Sequence, residues 1–133
     1  MQRRTFIMLT AVGSTAAAFA GLQCNSRQSS VYKVLGKPGQ LSFICDEQTI
    51  REIGMAYRLQ KPDENEVRKL EDLLLTDSSG KPLPSSVDDQ IVQALLYKKT
   101  EQDFENANTV VVRGWILSLT EARQCALFSA HHQ

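Results

Sequence analysis

Pro62 separates two stretches of helical apolar spacing, and its place in the chain constrains where the first helix can end. The apolar side chains before it recur at i, i+3 and i+7, on one face of a helix: Ile50, Ile53 and Tyr57. Asp46 can cap the start of this helix, and the pattern extends to about Gln60. A proline disfavours helical geometry in the residue before it, so Lys61 is a poor helical residue. We therefore predict a first helix that begins after Asp46 and ends near Gln60.

A second helical pattern follows the proline at once. Asp63 lies three residues before Glu66, a variant of the capping box with Asp in place of Ser or Thr. An apolar stripe comes next: Val67, Leu70, Leu73 and Leu74. We expect this helix to end near Thr76. Because so few residues join it to the first helix, the two are predicted to pack as an αα-hairpin.

A third helix is predicted after a loop at residues 77–86, which is rich in Gly, Pro and Ser. Ser86 followed by Asp89 suits a helix start, and the helix should run to about Glu105. Its predicted buried face is Val87, Ile91, Ala94 and Leu95, with Val92 and Leu96 flanking. So broad an apolar surface fits either a central helix or one that buries a second face against a partner subunit.

The C-terminal segment has a strand-like composition in place of helical apolar spacing. Residues 109–112 and 115–117 are β-branched and apolar, and Arg113-Gly114 between them suits a two-residue hairpin turn, although a type I′ turn needs positive φ at Arg113 as well. Ser118 and Glu121 match the capping box of a last helix, which bears Ala122, Cys125, Ala126 and, near its end, Ser129. A lone hairpin must pack on other elements. The predicted fold is mainly α, in the α+β class, with about four helices and a short hairpin before the last.

The first residues carry a charged start and a weakly apolar run that extends from about residue 6 to 22. This segment resembles a bacterial twin-arginine (Tat) export signal through Gln2, Arg3, Arg4, Phe6 and Ile7. Met8 stands where that pattern often has lysine, and the resemblance covers this segment only. It implies export by the Tat translocase to the periplasm, in a folded state. An ordinary Sec signal and a retained anchor are the alternatives, although the run is short and interrupted by polar residues for a membrane span.

The end of the signal can be read in two ways. Ala18 and Ala20 frame an A-x-A site, with cleavage after Ala20. Cys24 offers acylation as a lipoprotein instead, but Gln23 stands where such a site requires a small residue. The expected organisation is a signal peptide at residues 1–20, a flexible lead-in at 21–42 and a small α-rich domain at 43–133. Membrane contact is expected only if the signal is retained or Cys24 is acylated.

Charge and motif content exclude several functions. The chain has 15 basic and 15 acidic residues, and two of the basic ones lie in the signal, so the mature chain carries about −2. The sequence has no stripe of basic residues that would indicate nucleic-acid binding. The sequence has no cofactor motif, and Cys125, His131 and His132 lack the spacing of a metal site. In an oxidising compartment Cys45 could pair with Cys125, or both could be small buried residues, and export in a folded state favours the second reading.

Few residues suggest a specific activity. Trp115 suits either a core anchor or a partner contact, since Trp is enriched at interface hot spots. Glu121, Arg123 and Cys125 are the best candidates for a small enzyme, but no nucleophile–base pair accompanies them, and we favour a non-enzymatic role. The leading hypothesis is a small periplasmic subunit or accessory protein of a larger exported complex, with a redox complex as the commonest such context. The alternatives are a stand-alone small-molecule-binding module, with a pocket between hairpin and helices, and a lipoprotein acylated at Cys24.

Overall fold

The computed structural model describes residues 33–84 and 86–131. Its elements are α1 (Leu41–Ile44), α2 (Glu47–Gln60), a 3-10 turn (Pro62–Glu64), α3 (Val67–Leu75), α4 (Asp89–Glu105), β1 (Thr109–Val112), β2 (Trp115–Ser118) and α5 (Leu119–His131). The structure is mainly helical with one antiparallel hairpin before the last helix, which confirms the predicted fold class. No helix in the described part of the chain is long and apolar enough to cross a membrane. The predicted export and processing residues lie outside the described residues: Arg3, Arg4, Phe6, Ile7, Ala18, Ala20 and Cys24.

Helix α2 forms where the sequence predicts it. An Asp46 carboxylate oxygen accepts the Thr49 N–H at 2.8 Å, which caps the first turn. The predicted apolar face is buried: Ile50, Ile53 and Tyr57. The last backbone bond of the helix joins the Lys61 N–H to the Tyr57 carbonyl, and Pro62 opens the 3-10 turn directly afterwards.

Helix α5 lies at the centre of the domain, and α2, α3 and α4 all pack against it. Its buried residues include Ala122, Cys125, Ala126 and Ser129, as the sequence predicts. At the crossing with α2, a Cβ on Gly54 would lie 2.0 Å from the Cys125 carbonyl oxygen. The absence of a side chain at Gly54 therefore allows the two helices to approach this closely.

The predicted αα-hairpin of the first two long helices is wrong. Helices α2 and α3 make little contact with each other, because each buries its apolar face on α5. The predicted cap at Asp63 is also wrong, since α3 begins only at Val67 and residue 66 makes no side-chain cap. The reason is the 3-10 turn, in which Glu64 is held by side chains of α2 and α5 rather than continuing into a helix.

Helix α4 is rotated relative to the prediction. Val92 and Leu96 are its buried residues, whereas Ile91 keeps 54% of its surface exposed and Ala94 is also exposed. It starts at Asp89, later than predicted, and Ser86 makes no cap. Two polar side chains on the Val92–Leu96 side account for the rotation. The Lys99 ammonium donates to the carbonyl oxygens of α3 residues 73 and 74 and of residue 76, and the Asp103 carboxylate accepts bonds from the first turn of α5.

The hairpin has the predicted position and turn. Val111 pairs with Ile116, and Val112 with Trp115. Arg113 and Gly114 have φ values of 51° and 84°, so both central residues adopt the left-handed conformation of a type I′ turn. The inner face of the hairpin contributes Val112 and Leu117 to the core.

The domain also includes residues 33–42, which the sequence assigns to the lead-in. Leu35, Pro38 and Leu41 are buried, and the compact unit begins at residue 33. The Gln124 side-chain amide of α5 donates to the Lys37 carbonyl at 3.2 Å. This hydrogen bond attaches the segment to α5, and its three apolar side chains are part of the core.

Candidate functional site

An open cavity of about 860 Å³ lies between residues 33–43, helix α4 and the first turns of α5. Lys33, Lys37 and Phe43 belong to one wall, and Tyr97 and Phe104 belong to the other. Glu121 and Gln124 of α5 also line it. The sequence predicts a pocket between the hairpin and the helices; no hairpin residue lines this cavity, so it lies at a different place from the predicted one.

The carboxylate of Glu121 is the most buried charged group in the lining, with 6% of the residue exposed. It accepts the Ser118 N–H at 3.0 Å through Oε2, and the Ser118 hydroxyl oxygen accepts the Glu121 N–H at 3.0 Å. These reciprocal bonds confirm the predicted capping box. The box engages Oε2 of the carboxylate and does not require the second oxygen, Oε1.

A second helix reinforces the same turn of α5. The Asp103 carboxylate accepts the Thr120 N–H at 2.8 Å and the Thr120 hydroxyl at 2.6 Å. Three side chains thus satisfy the N–H groups at this helix start, where the helix dipole also favours negative charge. The turn that bears Glu121 is consequently fixed by two helices, and the Ser118 N–H positions its carboxylate.

No lysine or arginine among the described residues forms an ion pair with Glu121. The ion pairs in this part of the chain join Arg123 to Glu64 and Arg113 to Glu52. A carboxylate this buried normally has a cationic partner or several hydrogen bonds. The lysines of the lining, Lys33 and Lys37, are exposed. The buried charge of the lining is therefore a carboxylate, whereas the exposed charges are those of Lys33, Lys37 and Glu101.

Aromatic side chains supply much of the apolar surface around this carboxylate. Phe43 is 90% exposed, Tyr97 57% and Phe104 46%. Tyr97 and Phe104 lie seven residues apart on α4 and so share a face of that helix. These residues were not predicted as site residues, although they belong to a stripe at helical spacing that could have identified them: Gln90, Ala94, Tyr97, Glu101 and Phe104.

Arg123 belongs to a separate polar cluster outside the cavity. Its guanidinium donates two bonds to Glu64, at 2.8 and 3.1 Å, and the Tyr57 hydroxyl donates to the same carboxylate at 2.5 Å. The bonds from Arg123, then that from Tyr57, hold the pKa of Glu64 below its usual value. Burial, together with the adjacent carboxylate, raises the pKa of Tyr57. The cluster attaches the 3-10 turn to α2 and α5, which is a structural role.

The cysteines and Trp115 also lie away from the cavity. Cys45 and Cys125 are both free thiols, and burial raises the pKa of Cys125, which disfavours the reactive thiolate. Trp115 is of intermediate exposure and pairs with the buried Val112, so it lies on the inner face of the hairpin, and its roles as a core anchor and as a partner contact both stay predictions. Of the three residues considered for a small enzyme, only Glu121 lines the cavity.

Among residues 33–84 and 86–131, no three His, Cys, Asp or Glu side chains converge in a way that could hold a metal ion. His131 is the exposed last residue of α5, and His132 lies outside the described residues.

Comparison with known proteins gives no guidance on the site. No protein-family model matches the sequence, and neither curated proteins nor solved structures give a significant match.

Proposed function

We propose that this chain is a non-enzymatic, exported accessory protein or subunit of a larger periplasmic complex, with a redox complex as the leading context. The observation that carries the proposal is the outer face of the hairpin. Val111 and Ile116 are cross-strand neighbours there, 60% and 69% exposed. Apolar pairs of this kind contribute to stability when they are covered, and contiguous exposed apolar surface is typical of interaction sites.

The exported location rests on the resemblance of residues 1–20 to a twin-arginine signal. Cleavage after Ala20 would release the mature chain, whereas acylation of Cys24 would anchor it to a membrane as a lipoprotein. Intact-mass analysis of the exported protein distinguishes the two routes. A chain that starts at residue 21 supports cleavage at the A-x-A site, and an acylated Cys24 supports the anchored form.

Co-purification from the periplasm tests the subunit role. We expect one larger protein to be recovered in near-equal amount with the tagged chain, and Val111→Glu to abolish its recovery by placing a charge on the apolar pair. Ser78→Glu is the matched control, because it adds the same charge at an exposed position of the 77–84 loop. Recovery of the wild-type chain alone and monomeric would refute the proposal.

A stand-alone small-molecule-binding module is the second candidate, and the cavity favours it. Its volume of about 860 Å³ lies within the range of typical ligand sites, roughly 300–1,000 Å³. Such sites combine an apolar lining with a few fixed polar groups. The aromatic residues of α4 and the oriented carboxylate of Glu121 meet that description.

A further inference from the structure

We infer that the cavity binds a small zwitterion of the amino-acid or short-peptide class, with its ammonium group at Glu121 and its anionic end towards Lys33 and Lys37. This inference rests on the second proposed function, since it names the ligand that such a binding module would take.

The buried carboxylate carries the first step. Glu121 is 6% exposed, lines the cavity and has no ion-pair partner among the described residues. The N–H of Ser118 occupies Oε2, so Oε1 remains available for a second donor. Removing an ionised carboxylate from water is costly unless another charge or several donors compensate. An ammonium group provides both the opposite charge and up to three donors.

The rings on α4 favour the same group. Tyr97 and Phe104 line the cavity while remaining about half exposed, so a ligand can cover them. Cations are attracted to the faces of aromatic rings within about 6 Å, and the attraction grows as water is excluded. An ammonium group near Glu121 would therefore meet a carboxylate and an aromatic surface together.

The wall formed by residues 33–43 favours the anionic end of the ligand. Lys33 and Lys37 lie four residues apart and are both exposed, so they favour an anionic group near solvent. The exposed side-chain amides of Gln90 and Gln93 also line the cavity, and each offers donors and an acceptor suited to a peptide group. Charges of both signs exclude a simple cation or a simple anion as the best match.

Native mass spectrometry of the purified exported protein can test this directly. The probe is a pool of di- and tripeptides with free termini, compared with the same pool after N-acetylation and after C-amidation. We expect complexes with the free pool, a loss of tenfold or more on N-acetylation, and a smaller loss of about fivefold on C-amidation, because the lysines are solvated.

Glu121→Gln separates binding from folding. Glutamine also completes a capping box, so the thermal midpoint should change little while affinity for the free pool falls tenfold or more. Glu105→Gln, at the exposed end of α4, is the control and should bind as wild type. Retention of binding by Glu121→Gln would overturn the inference. Equal binding of the acetylated and free pools would overturn the ligand class and leave the binding function standing, and binding of neither pool would overturn the zwitterion inference.

Discussion

Gly54 offers the sharpest test of the described packing. In the middle of an exposed helix, Gly→Ala stabilises a protein by up to about 1 kcal/mol, because alanine loses less backbone freedom on folding. We expect Gly54→Ala to have the opposite effect. The added Cβ would lie 2.0 Å from the Cys125 carbonyl oxygen, 2.5 Å from the Cys125 carbonyl carbon and 2.9 Å from the Ser129 Cβ.

The expected loss of stability follows from how far α2 and α5 must separate. Non-bonded carbon contacts are favourable at about 3.5–4.0 Å, so the crossing of α2 and α5 must open by roughly 1.5 Å. The nearest obstacle is backbone, which cannot rotate away as a side chain would. Overpacking commonly costs about 1–3 kcal/mol and occasionally more. Since the main helix contact of the domain is involved, we expect a net loss of about 3 kcal/mol, equivalent to a fall in Tm of roughly 12–24 °C for a domain of this size.

Urea unfolding, followed by the fluorescence of Trp115, measures the effect. Met55→Ala is the control, because Met55 neighbours Gly54 in α2, is 50% exposed and should change stability by no more than about 0.5 kcal/mol. Ser129→Gly in the Gly54→Ala background should restore little, since the closest clash is with the Cys125 carbonyl. Wild-type or higher stability of Gly54→Ala would refute the described crossing.

Three further predictions test other contacts. Lys99→Met should reduce the free energy of unfolding by about 2 kcal/mol, because the ammonium closes the C-terminal end of α3; an unchanged urea midpoint would contradict this. Glu64→Gln should destabilise the protein at pH 7, and the deficit should shrink between about pH 5 and pH 3. The bonds from Arg123 lower the folded-state pKa of Glu64, so its stabilising effect is complete above the unfolded value near 4.3 and is lost as the pH falls through the lower folded value; a constant deficit in urea unfolding would disprove the assignment. Replacing Arg3 and Arg4 together by lysine should leave precursor in the cytoplasm, and undiminished export in cell fractionation would remove the twin-arginine interpretation.

Local patterns predict the elements whose caps and faces lie within a few residues of each other. Asp46 caps α2 through Thr49, three residues on, and the Ser118–Glu121 box is equally local. The type I′ turn likewise depends on two adjacent residues. Because the stabilising bonds of these elements are short-range in sequence, the sequence alone contains their causes.

The rotation of α4 and the position of α3 depend on contacts that no local pattern contains. Asp103 meets Thr120 seventeen residues away, and Lys99 reaches the carbonyl of Leu74 twenty-five residues back. Glu64 and Arg123 are separated by 59 residues, yet their pairing attaches the 3-10 turn at residues 62–64 to α5. Hydrophobic periodicity identifies an amphipathic helix, but long-range bonds of this kind contribute to its rotation about its axis and to the residue at which it begins.

The cavity also could not be predicted from local patterns, because its lining comes from residues 33–43, α4 and α5, which are far apart in sequence. Glu121 is predictable as a capping residue from its spacing to Ser118, and in the structure the same residue also lines the cavity. The two roles use different oxygens, since the Ser118 N–H occupies Oε2.

Glu121→Ala would remove the cap and the charge together, so a loss of binding in that variant could reflect an unfolded first turn of α5. Glu121→Gln keeps an acceptor for the Ser118 N–H, removes the charge and replaces the second acceptor oxygen by an NH2 donor. The comparison of these two variants therefore assigns any loss of affinity either to the start of the helix or to the carboxylate in the cavity.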